Sequence, residues 1–169
     1  MKLNQLKVSG QHPKWCGPSA LSIMTGRTVN HCAKLIAWER NTRIGWFSWY
    51  KGKGSSKQVK GVDNSEMKRA LSKMGFIMER VEIPRHHHRH QVMSINPDPF
   101  VMPTLHRYMR ERGGSDWKAV MLVEVTGHYL VINRDTVSDN HQQDKHYTKH
   151  RWSLKKIARA WIVKRKPKR

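Results

Sequence analysis

The chain has 169 residues, enough for one domain with a real core; 37% hydrophobic content and a mean hydropathy of -0.77 make it polar without making it disordered. Lys and Arg number 33 against 12 Asp and Glu, a formal charge of +21, which calls for a polyanionic partner: nucleic acid, an anionic surface or an acidic protein. Two cysteines exclude a disulfide framework, no apolar run is long enough to span a membrane, and residues 1–6 lack an apolar signal core, so secretion is not expected and free thiols fit a reducing compartment.

Residues 1–15 read as an extended lead-in to Trp15-Cys16-Gly17-Pro18-Ser19-Ala20-Leu21. Pro18 has its φ preset for a first helical turn, a short buried helix can follow through Met24, and Gly26 suits its C-terminal cap. Cys16 then sits at or just before a helix N-terminus, where free N–H groups and a partial positive charge favour the thiolate. Gly17 lets a bound carbonyl come close, and the Cys16 N–H and the upstream Gln11 side chain are candidate donors to an oxyanion. The plain alternative is a small buried hydrophobe. That reading is given to Cys32, which makes an apolar stripe with Leu35 and Ile36.

Asn30 is the expected cap of a second helix over residues 31–38. Trp46, Phe47, Trp49 and Tyr50 precede a Gly- and Lys-rich loop containing Lys51, Lys53 and Lys57. Three readings stay open: bases stacked on the aromatics with lysines on phosphates, one wall of a substrate groove, or core aromatics under a loop. Asp63 and Glu66 have the spacing of a capping box, and Met67, Ala70, Leu71 and Met74 give a helix ending at Gly75, with Lys68, Arg69 and Lys73 on its outer face. A strand is expected over residues 76–83. His86, His87 and His88 lie between Arg85 and Arg89, and His90 follows; without a suitably spaced Cys or carboxylate they read as an exposed basic loop, so no metal and no cofactor is expected. Residues 96–99 form a turn-rich connector. Thr104 is placed to cap a helix that turns Leu105, Tyr108 and Met109 inward and ends at Gly113 and Gly114.

Residues 120–125, 129–132 and 136–138 read as successive antiparallel strands. A turn centred on Asn133 and Arg134 would set His128 opposite Asp139, whose carboxylate could fix the ring's tautomer; a one-residue slip would offer Asn140 instead. From residue 145 onward there are eleven Lys or Arg and no acid. Ser153 is read as the cap of a helix over 154–158, followed by a closing strand over 160–163, with one continuous helix as the alternative. Residues 164–169 form a basic tail. Lys155, Lys156, Arg159, Lys164, Arg165 and Lys166 join Lys51, Lys53 and Lys57 as candidate nucleic-acid contacts, with no motif that would read sequence.

Gln11, the run from Cys16 to Leu21, and Gly127-His128-Tyr129 together resemble the papain-like cysteine peptidases, nearest to the branch that cleaves double-glycine leader peptides and its phage and bacterial relatives. The resemblance implies an α+β fold with N-terminal helices packed on a C-terminal antiparallel sheet, as a single domain over residues 1–163. It implies Cys16 as nucleophile, His128 as general base, Asp139 or Asn140 as the orienting third member, and Gln11 as oxyanion donor. The expected activity is thiol hydrolysis of peptide or isopeptide bonds in a peptide or protein substrate. The expected setting is the host cytoplasm or a virion, with virion proteins and non-specific DNA or RNA as partners. The alternative is a basic structural component of a phage virion on a scaffold whose chemistry is dispensable. A transferase or an amidase acting on cell-wall peptides would use the same groups.

Overall fold

The computed structural model describes residues 15–43, 59, 61–84, 86–87, 100–112 and 118–167. The lead-in with Gln11, the aromatic stretch, Lys51, Lys53 and Lys57, the connector at 96–99 and the expected stop at Gly113 and Gly114 lie outside those residues.

Helix α1, Cys16–Thr25, starts at the cysteine: the Trp15 carbonyl accepts the Ser19 N–H at 3.0 Å, and no side chain caps the N-terminus. Gly26 closes it at φ 75, a left-handed conformation that glycine adopts without strain. Helix α2, Val29–Arg43, begins earlier than expected. Thr28 rather than Asn30 caps it, its Oγ1 accepting the His31 N–H at 3.2 Å and its carbonyl the Cys32 N–H. Either residue type makes a cap, so local chemistry alone does not choose between them.

Helix α3, Asn64–Lys73, has the expected capping box between Asp63 and Glu66. Glu66 also takes a two-pronged hydrogen bond from Arg40 of α2, at 2.7 and 2.9 Å. Two of the three cations assigned to the outer face of α3 are instead drawn onto α2: Lys73 and Arg69 lie 2.6 and 3.3 Å from Glu39, a nearly buried carboxylate. An acid with so little solvent needs compensating charge, which no helical periodicity records.

The main sheet is antiparallel throughout. Strand β1, Phe76–Val81, is followed by a two-residue pair outside the main sheet, β2 (His86–His87) with β3 (Phe100–Val101). His86 and His87 are thus in strand pairing, where an open loop was expected. Helix α4, Leu105–Glu111, starts at Thr104 as expected and buries Leu105, Tyr108 and Met109. Then come β4 (Val120–Val125), β5 (His128–Asn133), β6 (Thr136–Ser138), β7 (Lys145–His146), a 3-10 turn at Tyr147–Lys149, and β8 (Ile157–Arg165). The spatial order is β1-β8-β4-β5-β6-β7. The fold is therefore α+β, with four helices among the described residues and an open six-stranded sheet.

Alternate side chains of the central strands enter two different cores. Val120, Leu122, Tyr129 and Val131 meet α1, α2 and α3, whereas Met121, Val123, Leu130 and Ile132 meet α4 and Ile157. Both faces are covered, which is why these strands read as unbroken apolar runs.

The C-terminus departs most from expectation. Residues 154–158 are not a helix; β8 begins at Ile157, runs nine residues and fills the gap between β1 and β4. Two open strand edges supply hydrogen bonds along its whole length, which outweighs the modest helix propensity of Leu154 to Ala158. The strand continues into the basic tail. Lys164 reaches Glu79 at 2.7 Å, and the Lys166 ammonium donates to the Ser72 carbonyl and hydroxyl, both at 2.9 Å.

Candidate active site

Cys16 is the first residue of α1 and stays partly exposed, while Cys32 is sealed in the core, where burial pushes its thiol up to about 12. The two cysteines thus separate as expected into an accessible thiol and an inert one.

His128 is set by the turn before it. Thr126 and Gly127 have φ of 50 and 74, the pair of positive values that a type I′ hairpin turn demands. Val125 pairs with His128, so the ring starts β5 at the end of the sheet nearest the first turn of α1.

The expected register between β5 and β6 is wrong by two. Ile132 pairs with Val137 and Asn133 with Thr136, so the turn is Arg134-Asp135, not Asn133-Arg134. Pairing with β4, which runs to Val120 opposite Asn133, keeps Asn133 in the strand. Arg134 takes the left-handed conformation at φ 55, and an arginine does not announce such a turn. The expected contact nevertheless forms: His128 Nε2 lies 2.9 Å from Asp139 Oδ2. A slip of two preserves the face of a strand. The chain then turns back directly after β6, and Asp139 Oδ1 accepts the N–H groups of His141 and Gln142 at 2.8 and 2.6 Å. That turn aims the remaining carboxylate oxygen at the ring. It is Asp139, not Asn140, that meets His128.

Two residues absent from the sequence reading complete the cluster. Trp152 lies flat on His128, ring centroids 4.7 Å apart and planes 22° apart, and its indole N–H donates to Asp139 Oδ2 at 3.0 Å. His150 is buried behind the carboxylate, with Nε2 3.9 Å from Asp139 Oδ1 and Nδ1 accepting the Trp152 N–H at 3.4 Å. No spacing rule flags either residue. The stretch around them reads as cationic, and helix was expected just beyond it.

With Nε2 committed to Asp139, the ring's other nitrogen, Nδ1, is the one left for the Cys16 sulfur, and the two residues line the same cleft, where each acts on the other's protonation. Burial alone would raise the Cys16 thiol; the hydrogen bond and charge of His128, with N–H groups of Tyr129 and Gly17, outweigh it and hold the thiol below its ordinary value. Burial alone would lower His128, but the hydrogen bonds to Asp139 and Cys16 raise it to about 9. Burial would likewise raise Asp139, yet His128 and the N–H groups of Gln142 and His141 hold it far below the usual carboxylate range. All three directions favour one charge state, thiolate–imidazolium–carboxylate.

The sulfur opens into a cleft of about 300 Å³ lined by Trp15, Pro18, Val59, Gly61, Val62 and Gly127 around Cys16, Gly17 and His128. Its wall is braced from behind: the Tyr129 hydroxyl donates to Asn64 Oδ1 at 2.7 Å and sits 3.0 Å from the Val62 carbonyl oxygen, and the Asn64 amide N–H donates to Glu124. A larger groove of about 1090 Å³, lined in part by Arg80, Ile83, Met102 and Arg159, contains neither Cys16 nor His128. Among the described residues, no group of His, Cys, Asp and Glu could hold a metal ion, and no helix is long and apolar enough to cross a membrane.

No protein-family model, curated protein or solved structure matches this chain. Its functional reading therefore rests on this geometry and its chemistry.

Gly17 shows how tightly the cleft is built. A Cβ there would lie 2.7 Å from Val62 Cγ2. Alanine is ordinarily favoured over glycine inside a helix by ~0.5–1 kcal/mol, whereas overpacking costs ~1–3 kcal/mol. Gly17→Ala is expected to lose about 1 kcal/mol net and to lower the midpoint of thermal unfolding by about 2–4 °C. A rise in the midpoint would show that Val62 moves freely.

Proposed function

We propose that this chain is a papain-like thiol hydrolase that cleaves peptide or isopeptide bonds. The observation that carries the reading is the chain of contacts from sulfur to imidazole to carboxylate, made by residue 16 at the head of α1, residue 128 at the start of β5 and residue 139 in the turn just after β6. Three helices precede the main sheet, and five of its six strands follow α4, an order in keeping with the papain-like plan.

The Cys16 thiolate adds to the carbonyl carbon of the substrate. The oxygen that gains charge is within the province of the uncapped first-turn N–H groups of α1, the Cys16 N–H foremost. On collapse the C–N bond breaks, and the amine leaves with the proton held on His128 Nδ1. Neutral His128 then takes a proton from water, whose oxygen attacks the thioester and releases the acid. Asp139 keeps the ring oriented through both transfers. Gln11 is the proposed second oxyanion donor by resemblance alone.

Alkylation by iodoacetamide at pH 6 tests the pairing, with Cys32 as an internal unreactive thiol. An ordinary thiol is well under 1% ionised there. The gain in thiolate exceeds the loss of intrinsic nucleophilicity, so wild type is expected to label at Cys16 about tenfold faster than His128→Ala. Equal rates would mean that Cys16 is not activated by the imidazole and would remove the hydrolase reading.

A further inference from the structure

The cations of this chain are not equivalent. Those in the last strand and beyond are partly used internally, Lys164 by Glu79 and Lys166 by Ser72. Between residues 145 and 156, by contrast, Lys145, Lys149, Arg151, Lys155 and Lys156 are all exposed, and none of the five takes part in an ion pair among the described residues. That stretch contains no acid at all apart from its flanking Asp144.

The backbone carrying these cations is pinned. The Leu105 N–H donates to the Lys155 carbonyl at 2.9 Å, the His106 N–H to the Ser153 carbonyl at 2.8 Å, and the Ile157 N–H to the Pro103 carbonyl at 2.9 Å, while Thr104 bridges Lys156. A rigid mount spares the entropy of ordering a tail on binding. The mount also borders the candidate active site: the Arg151 guanidinium stands 5.1 Å from the ring of Trp152, whose indole lies on His128.

We propose that residues 145–156 form the chain's nucleic-acid-binding surface, contacting the phosphate backbone without reading sequence. Five unpaired cations on a fixed backbone within twelve residues suit the dense, regular charge of a polynucleotide, and each phosphate neutralised releases condensed counterions. The surface displaces the C-terminal tail as the main contact and places any bound strand beside the Cys16 cleft. It does not depend on the hydrolase reading, because binding needs neither sulfur nor imidazole.

The test compares two variants of the full chain with the same change in charge: Lys155→Gln/Lys156→Gln and Lys164→Gln/Lys166→Gln. Binding of a mixed-sequence 20-base-pair duplex is followed by fluorescence anisotropy between 50 and 200 mM KCl. The first variant is expected to bind about tenfold or more weakly at 100 mM KCl, with the slope of log K against log salt shallower by about 1.8, two phosphates at about 0.9 each. The second is expected to change affinity by less than about threefold. Equal losses would show a diffuse charge effect and overturn the assignment, as would failure of the wild type to bind. Competition by polyglutamate as effective, per charge, as competition by unlabelled duplex would also overturn it, in favour of an acidic protein.

Discussion

Asp139→Asn is expected to lower turnover by about 10²–10⁴-fold and to move the alkaline limb of Cys16 alkylation from near pH 9 downward by one to two units. Only one orientation of the amide suits the turn. Oδ1 accepts two backbone N–H groups, from His141 and Gln142, so the asparagine carbonyl must take that place. Its NH₂ would then face His128 Nε2 and the Trp152 indole N–H, both of which meet the carboxylate oxygen in wild type. Two donors would confront each other at Trp152. At His128 the ring would have to accept through Nε2, which places its proton on Nδ1 toward the sulfur as a neutral imidazole. That tautomer cannot take the thiol proton. An unchanged alkaline limb would show that Asp139 does not support the imidazolium.

The same variant carries a stability signature with a definite sign. Asp139 is depressed in the folded state, so its contribution is fully present above the ordinary carboxylate value of ~3.9 and is lost as pH falls through the depressed folded value. The unfolding midpoint of Asp139→Asn should therefore lie below that of wild type at pH 7, and the gap should narrow below about pH 4. Thermal unfolding followed at pH 3, 5 and 7 checks this without any substrate.

Trp152 is the second position with a large expected effect. Phenylalanine would keep a ring over His128 but lose the indole donor to a charged acceptor, a hydrogen bond worth ~1.5–3 kcal/mol, or about ten- to a hundredfold in turnover. Alanine would also remove the face that covers the imidazolium and would admit water to the His128–Asp139 bond, so about hundredfold or more is expected. In both variants the alkaline limb should move away from about 9, further for alanine. A tryptophan that merely fills space would give a lower unfolding midpoint with an unaltered pH profile, and that result would exclude the role assigned here.

Much of the molecule is legible from local chemistry. The capping box at Asp63 and Glu66, the Thr104 cap and the glycine that ends α1 each act within one helical turn. The bounds of β4 and β6 follow from apolar runs bracketed by turns. The place of Cys16 at the head of α1 follows from proline and glycine positions that bias the backbone directly. The opposite fates of Cys16 and Cys32 follow as well, since one heads a helix and the other lies on an apolar stripe.

What remained hidden involves distant partners. The choice between strand and helix for residues 154–163 depends on β1 and β4 leaving two edges to be filled, a condition set some forty to eighty residues upstream. Arg69 and Lys73 look like solvent-facing cations until Glu39 is packed against them. The His128–Asp139 contact came out of a register that is wrong by two, rescued because strand faces repeat every second residue and because the chain reverses at Asp139.

Residue order alone thus settles where helices start and stop, which strands are buried, and that an accessible sulfur and an imidazole head two separate elements, because those biases act over a few neighbouring residues. Packing alone decides that β8 completes the sheet, that Asp139 turns one oxygen to the ring, and that Trp152 and His150 close around that carboxylate. Such contacts join residues with no fixed spacing, and they form only when burial and unmet hydrogen-bonding groups make one assembled arrangement more stable than its competitors.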